Sequence, residues 1–172
     1  GRAGGGGLQT GREPVEAGVD ASSDVSVDAS NDGPFVCGTP AAGEYVVDPA
    51  GGDDATGTGV NVAGCRLRTL GRALELVAAN PDVGSAAPAT IRLVGDISGS
   101  TGESFPIALP SNVRVTGSTL DGAPAMRTVT ASGGQSGFAI NDSKVVTLSY
   151  LAIEGTSTSG GARSAIGIGV RG

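Results

Sequence analysis

Asp53 and Asp54 stand side by side in the run DPAGGDDATGTG, which Asp48 opens. Paired carboxylates can divide into a general acid and a general base, as glycoside hydrolysis requires. They can also ligate Ca²⁺, a hard cation that prefers oxygen. Successive residues of a strand point to opposite faces, so these two converge only where the chain turns. Gly51, Gly52, Gly57 and Gly59 make such a turn feasible. The same run also reads as an Asx-turn loop, in which each carboxylate bonds its own backbone. The residue types favour the loop. Ca²⁺ at Asp48, Asp53 and Asp54 is the metal expectation, and no catalytic residue is assigned.

Other chemistry is narrowed by what the chain lacks. It has no His, which rules out a Ser-His-Asp triad, a Cys-His dyad and a zinc-histidine site within these residues. Cys37 and Cys65 have three readings: reduced core residues, half of a metal site, or a disulfide. Their turn-like contexts, FVCGTP and VAGCRL, favour the disulfide and therefore an oxidising compartment. Arg114, Arg127 and Lys144 could face an acidic polysaccharide, although isolated bases on strands are usually just the solvated side. Sugar grooves usually offer aromatic platforms, and the supply here is Phe35, Tyr45, Phe105, Phe138 and Tyr150. A net charge of −6, with 11 basic residues against 17 acidic ones, gives no footprint for nucleic acid or an anionic membrane.

The elements that must position these residues are slight. Aromatics make up 3% of the chain and glycine supplies 31 residues. Such a core must be aliphatic and built in thin layers, from short strands and glycine-rich turns. Residues 1–36 carry Glu13, Glu16, Asp20, Asp24, Asp28 and Asp32 among Gly, Ser and Ala. So little apolar surface cannot offset ordering entropy, which predicts a solvated acidic tether. The folded part is then 37–172. Tyr45-Val46-Val47 reads as a strand. Leu67, Leu70, Ala73, Leu74, Val77 and Ala78 recur at helical spacing and predict a helix over about 66–79, stopped by Asn80-Pro81.

Beyond the helix only strand patterns follow: TIRLVG (90–95), FPIAL (105–109), NVRVTGS (112–118), RTVTAS (127–132), GFAIND (137–142), KVVTLSYLAIEG (144–155) and SAIGIGVRG (164–172). IRLVG at 91 and VRVTG at 113 suggest a repeat, as do FAIND at 138 and AIGIG at 165. An antiparallel sandwich would suit the same strand lengths, but it would need hairpin turns, and past residue 36 only Asp121-Gly122 offers one. The spacing leans toward a solenoid. Asn141-Asp142-Ser143 reads as a turn between its layers.

From about residue 44 to 172 the order of parts resembles a bacterial family of parallel β-helices, the DUF1565 type within the pectin-lyase-like superfamily. The resemblance is carried by YVVDPAGGDDATGTG, CRLRTLGRALELV, ATIRLVGDI, SYLAIEG and the phrase Phe105-Pro106-Ile107-Ala108-Leu109-Pro110 leading to Val113, Val115 and Gly117. Cys65-Arg66-Leu67 departs from it, standing where a Pro-Phe-like approach to the helix is expected.

The resemblance implies an all-β, right-handed parallel β-helix whose open end is capped by the amphipathic helix. Superfamily members that cleave pectin-like polymers use Asp clusters on mid-helix faces, whereas Asp53 and Asp54 precede the cap. The acidic tether resembles those that follow the lipid-modified Cys of exported lipoproteins, implying an extracellular or outer-surface location, with an anchor on a segment upstream of residue 1. The expected role is structural or interactive, toward a polysaccharide or another surface protein. The alternatives are the N-terminal part of a polysaccharide lyase or hydrolase with its active site beyond residue 172, and a Ca²⁺-stabilised carbohydrate-binding module. SAIGIGVRG is a strand pattern without a cap, so the solenoid is expected to continue.

Overall fold

In a computed structural model the chain divides into two units, Gly1–Phe35 and Val36–Gly172. The structure describes residues 36–41, 43–80, 87–141, 145–155 and 168–171. Residues 1–36, expected to form an acidic tether, lie outside the described residues except for Val36.

In chain order the elements are β1 (Glu44–Val47), α1 (Leu70–Ala79), β2 (Ala89–Leu93), β3 (Ile97–Ser98), a 3-10 turn at Gly99–Thr101, β4 (Ile107–Ala108), β5 (Val113–Gly117), β6 (Arg127–Ala131), β7 (Phe138–Asn141), β8 (Val146–Ser149), β9 (Leu151–Gly155) and β10 (Ile168–Arg171). Three sheets form, in the orders β1-β2-β5-β8, β3-β6-β9 and β4-β7-β10. Every pairing between these strands is parallel. From β2 onward the chain visits the first, second and third sheets in that order, three times over. The sandwich of hairpins is thereby overturned, since hairpins make antiparallel neighbours.

Alternation along β2 and β5 builds much of the core. In β2 and β5 every second residue is buried, and the register stacks like on like. Tyr45, Ile91, Val115 and Leu148 form one ladder across the first sheet; Ile97, Val129 and Ile153 form another in the second. Branched aliphatics suit this layering, because each rung needs a thin, stiff side chain rather than a broad ring. Two rings are the exceptions: Tyr45, at the β1 end of its ladder, and Phe138, fully buried at the level of Ile107.

Helix α1 closes the core on the β1 side. Leu70, Ala73, Leu74 and Val77 are buried and pack into the same cluster as the strand ladders. Full burial of a Leu or Val side chain contributes roughly 1.5–3 kcal/mol. The helix begins later than periodicity predicts. Leu67 instead forms a parallel bridge with Val47, and Thr69 is the N-cap. Asn80 ends the helix as expected, ahead of a proline that disfavours helical backbone at the residue before it. Among the described residues no helix is long and apolar enough to cross a membrane.

Two of the three strand edges on this side are occupied or blunted. Beyond β1, Val46 N–H donates to Gly59 O and Leu67 N–H donates to Val46 O, so its outer edge is occupied. β4 is only two residues long and lies between Pro106 and Pro110. Proline offers no N–H to an added strand, which blunts that edge.

Corners carry local strain. Asn112 and Val145 both have positive φ, at 57° each. They occupy one place in the repeat, because Val113 pairs with Val146 immediately after them. Left-handed backbone suits Asn and is costly for a β-branched residue. Val145 is also 62% exposed, so little packing depends on it. Val145→Asn is therefore expected to raise stability by about 1 kcal/mol, read as a higher urea midpoint at unchanged slope. A lower midpoint would show that the valine side chain has a packing role there.

Candidate functional site

The acidic loop is held against the segment that returns to α1. Asp48 N–H donates to Leu67 O and Asp53 N–H to Arg66 O, at 2.8 and 2.9 Å. The backbones approach so closely that a Cβ on Gly52 would lie 2.2 Å from Leu67 O; one on Gly57 would lie 2.2 Å from Asp53 O and 2.5 Å from Arg66 O. Glycine is required here by proximity.

This frame turns the three carboxylates toward different donors. Asp48 Oδ1 accepts from Ala50 and Gly51 N–H, and its Oδ2 pairs with Arg66 Nη1 at 3.2 Å. Asp53 Oδ1 accepts from Ala55 N–H at 2.8 Å and Oδ2 from the Thr56 hydroxyl at 2.9 Å. The bond from Ala55, seconded by Thr56, holds the Asp53 carboxyl below the ordinary aspartate pKa. Asp54 Oδ1 accepts from Arg68 and Thr69 N–H, and its Oδ2 from the Thr69 hydroxyl at 2.7 Å. Among the described residues no group of three or more His, Cys, Asp or Glu stands close enough to hold a metal ion.

Asp54 belongs to a second construction, the start of α1. The first N–H groups of a helix have no partner inside it, and the first turn of α1 contains no acid of its own. Thr69 Oγ1 accepts from Arg72 N–H at 3.1 Å while donating to Asp54. Glu103, from the loop between β3 and β4, accepts from both Leu70 and Gly71 N–H. Leu70, Gly71 and Arg72 are thus all satisfied by side chains, and two carboxylates sit at the positive end of the helix dipole.

Glu103 is missing from the sequence reading. Its signal was indirect: a helix whose first turn, LGRA, carries no acid draws one from elsewhere, and Glu103 is the lone charge in SGSTGESFP. It is 6% exposed. Burial pushes its pKa above the ordinary 4.5; the bonds from Leu70 and Gly71 oppose that, and the nearby Asp54 charge adds to it. A raised carboxyl pKa means that the folded state binds the proton more tightly than the unfolded chain. The associated stability is fully present below about pH 4.5 and is lost as pH rises through the folded value. Glu103→Gln is therefore expected to compare more favourably with the parent at about pH 7 than at about pH 4.5, in urea melts at both. Parallel pH profiles would contradict this.

The disulfide joins Cys37 to Cys65, with Cα atoms 5.5 Å apart, which resolves the three cysteine readings. It fastens the arm that precedes β1 to the turn that precedes Leu67.

Among the described residues, Arg114 and Arg127 do not share a face. Arg127 directs Nε and Nη2 at Ser118 O, at 3.0 and 2.8 Å, and so braces a corner. Arg114 lies on the first sheet between Thr90 and Thr147, and Lys144 lies outside the described residues. Of the aromatics, Phe138 and Tyr45 are buried, Phe105 packs against the core, Tyr150 is half exposed, and Phe35 lies outside the described residues. Asn141 ends β7, while Asp142 and Ser143 also fall outside.

A family model described as "Protein of unknown function (DUF1565)" matches residues 50–166. No curated protein and no solved structure matches the chain.

Proposed function

This chain belongs to the DUF1565 family, and from that premise we propose that it is the capped end of a right-handed parallel β-helix serving as an exported structural or interaction module. The repeated passage through three parallel sheets and the stacked ladders support the β-helix. Helix α1 covers the apolar layer at the β1 end, which would otherwise be open. The disulfide supports an oxidising location, extracellular or on the outer surface of a bacterium, since such bonds are rare in reducing cytosol. In this reading residues 1–36 are the tether, and a polysaccharide or another surface protein is the partner.

The observation that carries the reading is the engagement of the carboxylates. Asp48, Asp53, Asp54 and Glu103 direct their oxygens to N–H, hydroxyl and guanidinium donors of the chain itself. A calcium ion at Asp48, Asp53 and Asp54 would have to compete with those donors, so the reading assigns it no role.

One experiment addresses both points. The oxidised chain is incubated with acidic and neutral polysaccharides in millimolar Ca²⁺, and its melting temperature is followed with and without the ion. The expected result is no new reducing ends, no unsaturated products and no thermal shift. Turnover that disappears in Asp53→Ala/Asp54→Ala would replace the module with an enzyme. A Ca²⁺-dependent rise in melting temperature that the same variant abolishes would replace it with a calcium-stabilised module.

A further inference from the structure

A pocket of about 470 Å³ opens on the flank of α1, within the size range of small-molecule sites. Three segments wall it: the arm Cys37–Pro40, the turn Ala55–Thr58 at the exit of the acidic loop, and the α1 stripe of Arg72, Leu76 and Ala79. Tyr45, 5% exposed, also lines it. The arm is held in place by the Cys37–Cys65 bond and by the Thr58 hydroxyl, which donates to Gly38 O at 2.7 Å.

Arg72 is the pocket's cation. Its Nη1 lies 2.9 Å from Glu75 Oε2, in a surface pair whose side chains are 38% and 68% exposed. Pairs of that kind contribute little, because water competes for both partners. The Arg72 Nε is buried without a hydrogen-bond partner. A guanidinium recognises a carboxylate best through two parallel N–H groups, and its bond to Glu75 uses only Nη1.

We propose that this pocket binds a small carboxylate carrying a short apolar or aromatic body. The carboxylate replaces Glu75 on Arg72, taking two N–H groups once the half-exposed guanidinium turns toward the pocket. The body lies against Leu76, Ala79, Pro40 and the Tyr45 ring. The site goes beyond the structural role above and does not depend on it.

Benzoate is the probe and benzamide its neutral counterpart, titrated into the full oxidised chain at low salt and followed by amide chemical shifts. Benzoate is expected to saturate, with shifts centred on residues 55–58 and 72–79, and benzamide to bind at least tenfold more weakly. Arg72→Gln should weaken benzoate at least tenfold, while Glu75→Gln tightens it several-fold by freeing the guanidinium. Arg114→Gln, on the first sheet, should leave binding unchanged. The Glu75→Gln gain cannot arise from unfolding, so it decides the matter even if Arg72→Gln is unstable. Failure to saturate, equal binding of benzamide, an unchanged affinity in Glu75→Gln, or an equal loss in Arg114→Gln would each overturn the proposal.

Discussion

Cys37→Ser/Cys65→Ser is expected to unfold at markedly lower urea concentration than the oxidised parent, with a stability loss of about 3–4 kcal/mol. The cross-link spans 28 residues, and closing a loop of that length removes about this much entropy from the unfolded chain. Against a total of roughly 5–15 kcal/mol for an ordinary domain, that is a large share. The melting temperature should fall by on the order of 10 °C. The freed arm can also give up the bond from Thr58 to Gly38, which places the loss toward the upper end of that range. The check is a pair of urea melts, variant against oxidised parent. A difference below about 1 kcal/mol would mean that the reduced chain keeps the loop closed by other contacts.

Gly52→Ala and Gly57→Ala should each be destabilising by about 3 kcal/mol or more, from a single methyl group. Overpacking usually costs about 1–3 kcal/mol, because flexible neighbours can move aside. Here the obstructing atoms are backbone oxygens of Asp53, Arg66 and Leu67, which belong to the hydrogen bonds that hold the loop. Relieving the overlap means lifting the loop, which endangers the bonds from Asp48 and Asp53 N–H and the Asp54 hold on the start of α1. Gly51→Ala is the internal control, because its Cβ would meet only the Asp48 side chain, at 3.1 Å. Gly38→Ala has nothing within 4 Å and should be neutral. If all four variants melt alike, the close approach does not determine the loop's stability.

What was legible from the residues follows which forces are local. Most strands after α1 were found because short apolar runs, several of them alternating with small or polar residues, are written in the segments, and the helix because its buried stripe recurs at 3.6 residues. Leu67 was assigned to the helix because it continues that stripe. Its actual partner, Val47, lies across the loop and leaves no mark on local spacing. The run KVVTLSYLAIEG read as one strand, yet Tyr150 turns the chain with φ at 55°, splitting it into β8 and β9. β3 was missed because two residues carry no periodicity.

The repeats were recognised, but their register was not. Ile91 pairs with Val115, not Val113, and Phe138 pairs with Ile168, not Ala165. Corners of unequal length separate the strands, so matching similar strings cannot say how many residues a corner consumes. At the candidate site the carboxylates Asp48, Asp53 and Asp54 and both cysteines were named from sequence. That the aspartates would serve Arg66, the loop and the helix start separately depended on where Gly52 and Gly57 let the backbones touch.

The disulfide also settles how the unit bears a load. Tension arriving along the chain from before Cys37 passes through the sulfur bridge into Cys65 and on toward Leu67 and α1, bypassing everything between. β1, with its ladder to β2, and the acidic loop lie inside the bypassed stretch. A length on the order of 95 Å, the extended reach of 28 residues, is thus withheld from extension while the bond is intact. Under traction the first strand is a shielded passenger, and reduction converts the same stretch into slack.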